Sequence, residues 1–429
     1  MHPRIRHLLL AVAAMSATLT TSTPATAAVA EGPSPDDAGR LSQVWAAQPG
    51  RGTIGSSPTY ANGSIYYIED AYAVGDPAWG ERITRRDAVT GRLLPFAAPG
   101  IEALYLTQPV SDGVSIFTIS AYEHADPVAH IRAYTPSGRP SWNRKLPGER
   151  YTLGIVVSGP LVIAAGELGC DPPGTGDCKR TSVNAWWAAT GKPAWNRTVA
   201  GGTPRMVAAA GQLTVHTTAG GNGVLTAVDA LTGRLLWART GVTGGPMAAD
   251  AGSIYLAAGD LCALRAEDGK RRWCVEDRTY HDVTVAEGGL YAVAGRQLQT
   301  VAGRQVVALT TDGLARWAVP AQATGPLTVA NGVVYLQNYT QIESSAEPPP
   351  PDHPTELRAL RATTGATLAR LQVSSAYSPG AVTVGGGRVF TTAYLTTVLA
   401  YAPSSESPST QALAPAVWSV SRGQIASLG

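Results

Sequence analysis

The densest run of chemistry-bearing side chains in the chain is Glu276-Asp277-Arg278-Thr279-Tyr280-His281-Asp282. Carboxylates, a guanidinium, a phenol and an imidazole packed this closely could hold a polar ligand or pass a proton. The same run also reads as a solvated connecting loop, because loop charges are commonly just exposed. Arg51, Glu102, Arg150, Tyr151, Arg205 and Tyr377 share its setting, each lying beside a stretch read below as an innermost strand. With Asp277, Arg278, Tyr280, His281 and Asp282 they form the candidate ligand-binding set, a ring of mixed charge around a channel mouth.

Other polar residues offer less. Asp70, Asp76, Glu81, His124, Asp126, His130, Asp171, Asp177, Asp352 and His353 are scattered over connecting segments and match no calcium-loop or zinc-helix spacing. His124 and His130 with Asp126 could join a metal site or be an incidental surface cluster, and no metal is expected. Gly-x-Ser-x-Gly is absent, so no nucleophile is assigned and the catalytic set is empty. The four cysteines fall into two pairs. Cys170 and Cys178 bracket a turn-rich loop that a disulfide could close, and Cys262 and Cys274 lie almost symmetrically about Asp268-Gly269, opposite one another on a hairpin. Structural zinc is the competing reading, but no Cys-x-x-Cys or histidine pair supports it.

What must position these groups is a repeat. Ala227-Val228-Asp229-Ala230-Leu231-Thr232-Gly233-Arg234-Leu235-Leu236-Trp237 reads as a β-hairpin turning at Thr232-Gly233. Its turn recurs at Gly91, Gly138, Gly191, Gly269, Gly313 and Gly365. Before each hairpin stands a strand, a tight turn and an aromatic strand, as in Ser57 to Tyr67 around Asn62-Gly63. An eighth such pair, Pro379 to Phe390, is followed at Thr397 to Ala402 by only the first arm of a hairpin, while Leu41 to Trp45 is a second arm without a first.

Complementary halves at the two ends imply a ring. The expected fold is all-β, an eight-bladed β-propeller of four-stranded antiparallel blades, closed by the N-terminal strand completing the last blade. Trp45, Trp142, Trp195, Trp237, Trp273 and Trp317 share one position on the second arm and are assigned to packing between blades; Pro95 and Ala369 stand there in two units, which should pack less tightly. One face of the ring carries uniformly tight turns. The opposite face carries the variable connections Glu69 to Glu81, Tyr122 to His130, Glu167 to Ser182 and Asn338 to Glu356, and binding is expected there.

The motifs Ala230-Leu231-Thr232-Gly233-Arg234-Leu235-Leu236-Trp237 and Gly325-Pro326-Leu327-Thr328-Val329-Ala330-Asn331-Gly332-Val333-Val334-Tyr335 resemble the pyrroloquinoline-quinone-like repeat β-propellers. That family includes quinoprotein dehydrogenases and the scaffold of the outer-membrane barrel assembly machine. The resemblance covers Leu41 to Ala402. It implies the fold, but a quinoprotein enzyme would bring a quinone, a calcium ion on carboxylates, an Asp base and commonly a disulfide between adjacent cysteines. This sequence has no Cys-Cys pair and hardly an acid on its innermost strands.

Composition bounds the rest. The 429 residues carry a net charge of +2 with only 15% charged residues, which gives no electrostatic footprint for nucleic acid. Residues 1–30 read as a signal peptide, with Arg4, Arg6 and His7 before an apolar run to Leu19 and small residues at Ala28-Val29-Ala30 or Ala25-Thr26-Ala27. Residues 31–40 are a polar leader, 41–402 the propeller and 403–429 a tail rich in Ser, Pro and Ala. The chain is expected to be exported, without a lipid anchor or stable membrane insertion, and monomeric. Its expected role is non-catalytic, binding a protein, peptide or glycan partner. An enzyme, whether a divergent quinoprotein dehydrogenase using quinone and calcium or a channel-mouth hydrolase or lyase, is the alternative.

Overall fold

This computed structural model describes residues 31–50, 52–71, 80–96, 105–121, 129–146, 154–170, 178–219, 221–295, 303–323, 326–339, 355–373, 381–393 and 396–404. Residues 1–30, read from the sequence as a signal peptide, and nearly all of the C-terminal tail lie outside them. No helix among the described residues is long and apolar enough to cross a membrane. Among the described residues, apart from the one-turn helix Pro35–Ala38, the elements are β-strands, gathered in seven antiparallel sheets, none of which closes on itself.

The sheets follow the repeat. In the clearest, Gly202–Ala209, Gln212–Ala219, Asn222–Asp229 and Leu235–Thr240 pair in chain order. The two middle strands are buried on both faces because neighbouring sheets cover them, so they read as apolar runs rather than as alternation; Leu161 to Ala165 is wholly buried. Outermost strands face a neighbour on one side only. Leu235–Thr240 and Ala315–Pro320 accordingly alternate between exposed and half-buried residues.

Innermost strands touch in cyclic order. Thr59–Ala61 meets Val110–Ser111, and the contacts run on through Gly154–Ser158, Gly202–Ala209, Met247–Ala249, the end of Arg271–Ala286, and Thr328–Ala330 to Thr383–Gly385, which meets Thr59–Ala61 again. Threonines stitch several of these seams. Thr59 Oγ1 donates to the Pro109 carbonyl at 2.7 Å, Thr284 Oγ1 to Leu327 at 2.9 Å, and Thr328 and Thr383 do the same to Val382 and Pro58.

On the outside, each tryptophan reaches the next repeat's hairpin. The indole Nε1 of Trp195 donates to the Ala230 carbonyl at 3.0 Å and that of Trp237 to Ala266 at 2.7 Å, and Trp45, Trp142, Trp273 and Trp317 repeat the contact on Ala88, Ala188, Thr311 and Ala362. The ring lies flat on the turn glycine: a Cβ at Gly233 would fall 2.6 Å from Trp195. Gly233 also has φ 69°, so the turn needs glycine twice over, for its backbone and for its missing side chain. The Trp-x-Arg spacing adds a clamp, since Arg144 and Arg197 donate to the carbonyls of Gly191 and Gly233.

The unit with Pro95 at the tryptophan position is not left loose. Phe96, one residue on, lays its ring against Gly138 and contacts Tyr134 at 5.2 Å between centroids. Ala369 has a different explanation. The Leu41–Ala47 strand pairs with Thr397–Pro403, completing the last sheet with the N-terminus, so no hairpin turn stands beside Ala369. The leader occupies that place instead. Ala38 is fully buried in one cluster with Leu368, Ala369 and Leu371, Ser34 caps the helix by accepting from the Asp37 amide, and Gly32 lies between Val384 and Ala330. The Glu31 and Gly32 carbonyls accept from the Gly387 amide at 2.8 Å and Asn331 Nδ2 at 3.0 Å.

Two of the repeats share one six-stranded sheet. Strand Arg271–Ala286 is sixteen residues long; its start pairs with Ser253–Arg265 and its end with Gly289–Gly295. The outer strand of one repeat thus runs straight on into the innermost strand of the next. Both cysteine pairs form disulfides, Cys170–Cys178 and Cys262–Cys274, each joining residues directly opposite in register.

Candidate functional site

The run from Glu276 to Asp282 is not a loop; it lies wholly within strand Arg271–Ala286. The sequence reading missed this because charge density normally marks exposed connections. Register jumps between Gly259 and Leu261 of one partner strand and, against the other partner, between Tyr280 and Asp282 of this strand itself, so the strand bulges here and re-aims successive side chains.

The bulge sorts the cluster into two parts. Asp277 Oδ2 accepts from Arg278 Nε at 2.8 Å and Nη2 at 2.5 Å, and its Oδ1 accepts from the Tyr280 hydroxyl at 3.1 Å. Arg278 also reaches Gln305 Oε1 at 3.2 Å. The Arg278 hydrogen bond holds Asp277 below the usual carboxylate range against the opposing effect of partial burial, while burial and the nearby Asp277 charge push Tyr280 up. This part is self-neutralised and spends its polar capacity internally. Half-buried His281 lies over Gly295 beside Arg304, whose guanidinium donates to the Ala323 carbonyl at 3.1 Å.

Asp282 is different. Its Oδ1 accepts the Val283 amide at 2.9 Å, while Oδ2 is buried with no hydrogen-bond partner. Burial raises its pKa, with the Val283 and Leu327 amides opposing, so this carboxyl holds its proton to higher pH than an ordinary aspartate. Among the described residues of the innermost strands it is the lone acid, and it has acceptor capacity to spare.

Arg205 stands in another sheet. It is exposed on Gly202–Ala209 and opposite His216 in register, apart from the Asp277 to Asp282 cluster. Arg51, Glu102, Arg150, Tyr151 and Tyr377 lie outside the described residues, as do His124, Asp126, Asp76, Asp171, Asp177, Asp352 and His353.

His216 is 2% exposed, wedged between Gly223 and Gly244, with Nε2 3.1 Å from the Val242 carbonyl. Burial lowers its pKa, the Val242 carbonyl opposes, and the Arg205 charge adds to the lowering. In the unfolded chain it titrates near about 6.5. The unfolded state therefore takes up a proton that the folded state refuses, and stability is lost as pH falls through that value, with a limiting slope of about 1.4 kcal/mol per pH unit. Urea midpoints measured from pH 8 to pH 5 should show this fall, and His216→Gln should flatten it.

Three buried acids escaped the sequence reading because they sit at the ends of apolar runs. Glu69, Glu167 and Glu356 are 1%, 0% and 6% exposed. Glu69 accepts the Gly50 amide at 3.2 Å and Arg82 Nε at 2.9 Å, and Glu167 accepts the Thr203 amide. Glu356 takes Arg358 Nε at 2.8 Å and Asn338 Nδ2 at 2.9 Å, and Asn338 in turn accepts the Gln322 amide at 2.6 Å. Each side-chain network pins a segment that crosses from one repeat to another. An acid interrupting a strand such as Ile65-Tyr66-Tyr67-Ile68-Glu69 was the available signal.

Residues 128–274, about a third of the chain, match the sequence family described as outer membrane protein assembly factor BamB. No curated protein matches. Among solved structures, the chain is similar to the quinohemoprotein alcohol dehydrogenase ADHIIG from Pseudomonas putida HK5, at TM-score 0.58 and 13% identity over 87% of this chain and 78% of that one. It is similar to a europium-containing methanol dehydrogenase at TM-score 0.56 and 10% identity, covering 87% and 95% of the two chains. The computationally designed Ika8 protein aligns at TM-score 0.56 and 13% identity, covering 84% and 99%. At these identities the likeness is one of fold.

Proposed function

We propose that the chain is a closed eight-bladed ring of pyrroloquinoline-quinone-like β-propeller repeats, exported from the cell, that binds a protein, peptide or glycan without chemistry of its own; the family match over residues 128–274 and the likeness in fold to two dehydrogenases support the repeat. The cyclic contacts of the innermost strands and the N-terminal strand in the last sheet support closure. The two disulfides favour an oxidising compartment.

The observation that carries the binding reading is where chain length varies. Between the second and third strands of the repeats, the connection shrinks to the tight Ala219 to Asn222 turn in one unit and stretches from Tyr339 to Thr355 in another. The hairpin turns at the other end, by contrast, are all short and glycine-capped. A rigid ring with one variable face is a scaffold for recognition. Arg205 and the Asp277 to Asp282 cluster would then contribute polar contacts at the channel mouth.

An enzyme reading is supported by the two dehydrogenase folds and by the spare oxygen of Asp282. The described donor set does not fit a quinone and calcium, however. Calcium takes six to eight oxygens, and the described innermost strands supply one carboxylate, while both disulfides close local β-hairpins rather than joining adjacent cysteines.

Glycan and random-peptide arrays probed with the folded protein test the proposal. A specific binder is expected, with Arg205→Ala/His281→Ala reducing its affinity at least tenfold. In parallel, protein incubated with quinone and calcium is assayed by absorbance and dye-linked turnover. A bound chromophore with turnover would replace the binding reading by the enzymatic one, and unchanged affinity in the double variant would remove the channel mouth from the binding site.

A further inference from the structure

We infer that Glu167, Cys170 and Cys178 become a site for a thiophilic divalent cation, zinc or an ion of like preference, when the disulfide between the two cysteines is reduced. All three residues are buried, at 0%, 7% and 3% exposure. One carboxylate oxygen and the two sulfurs lie within 4.8 Å of one another. Glu167 Oε2 is 4.0 Å from Cys170 Sγ. Tetrahedral zinc, with Zn–S near 2.3 Å and Zn–O near 2.1 Å, sets its donors about 3.5 to 3.8 Å apart, so small side-chain movements suffice.

The carboxylate is already aimed. Its Oε1 accepts the amide of Thr203, a non-glycine residue at φ 54°, which leaves Oε2 toward the sulfurs. Gly202 makes the space: a Cβ there would fall 2.7 Å from Cys178 Cβ and 3.0 Å from Glu167 Oε1. The other disulfide supplies the contrast. Cys262 and Cys274 also pair across a hairpin, but among the described residues no acid joins them in a donor cluster. A buried acid is therefore no requirement for closing such a bridge, whereas it completes a three-donor set once the bridge opens.

The chemistry balances with a dithiol reductant. One donor thiolate attacks a cysteine sulfur, the S–S bond breaks and a mixed disulfide forms; the second donor thiol then displaces the other cysteine. The donor leaves oxidised by two electrons, and Cys170 and Cys178 are left as thiols. Metal binding displaces their two protons, and water supplies the fourth ligand.

Cobalt(II) is the probe. Full-length protein is reduced with dithiothreitol, desalted without oxygen and titrated with cobalt, with zinc as competitor. We expect one cobalt per chain with thiolate-to-metal charge-transfer absorbance in reduced protein and none in oxidised protein, a comparison that needs no variant. Cys262→Ser/Cys274→Ser should leave the signal intact, Cys170→Ser should abolish it, and Glu167→Gln should weaken binding at least tenfold. Absence of the signal in reduced wild-type protein, its persistence in Cys170→Ser, or unchanged affinity in Glu167→Gln would overturn the assignment.

Discussion

Gly233→Ala should destabilise the protein by about 2 to 5 kcal/mol, and by only about 1 to 2 kcal/mol when Trp195 has already been replaced by alanine. Two costs meet at Gly233. Its φ of 69° is a left-handed conformation that costs an ordinary residue about 1 to 2 kcal/mol. Its missing side chain is where the Trp195 ring lies, with ring atoms 2.6 to 2.9 Å from an added Cβ, which is an overpacking cost of about 1 to 3 kcal/mol. Trp195→Ala removes the second cost but brings its own, about 3 kcal/mol for a half-buried indole that also loses its bond to the Ala230 carbonyl. Urea unfolding of both single variants and the double variant gives the coupling energy directly. Strict additivity would mean that the ring and the turn are not one contact.

Deleting residues 31–40 should cost at least about 3 kcal/mol. The loss comprises the burial of Ala38, the packing of Gly32 against Val384, and the bonds from the Gly387 amide, Asn331 and the Ser404 amide to leader carbonyls, each about 1 kcal/mol. The Arg361–Asp36 pair adds little, because Asp36 is 91% exposed. Ala369 reports on the same place. Ala369→Trp should be destabilising in the intact chain, where the new indole displaces Ala38, and tolerated in the truncated chain, where the space is open. Thermal melts of the four proteins decide between this account and one in which the leader is a passive tail.

The repeat was legible because its determinants are local and recur: a turn glycine, a tryptophan four residues on, an apolar strand covered on both sides. The leader was not. It occurs once, so no period marks it, and its fit depends on Ala369 being small in another repeat. The same want of a period hid the strand character of Glu276 to Asp282, since its run of charge has no counterpart at that place in the other repeats. It hid Glu167 as well, whose partner Thr203 is distant in sequence and held by strain. The chemistry-bearing residues were found by type, but their division into a spent network around Asp277 and a spare oxygen on Asp282 depends on a one-residue bulge.

The amide of Ser404 donates to the carbonyl of Arg40 at 2.9 Å, so the strands that begin and end the sheet system are one hydrogen bond apart. The point at which the polypeptide is cut is then a matter of convenience to the fold. A circular permutant that bridges Ser404 to Leu41 with a few residues and opens the chain at a short hairpin turn, with residues 31–40 supplied as a separate peptide, would carry every inter-sheet contact described here while moving both ends to a different repeat.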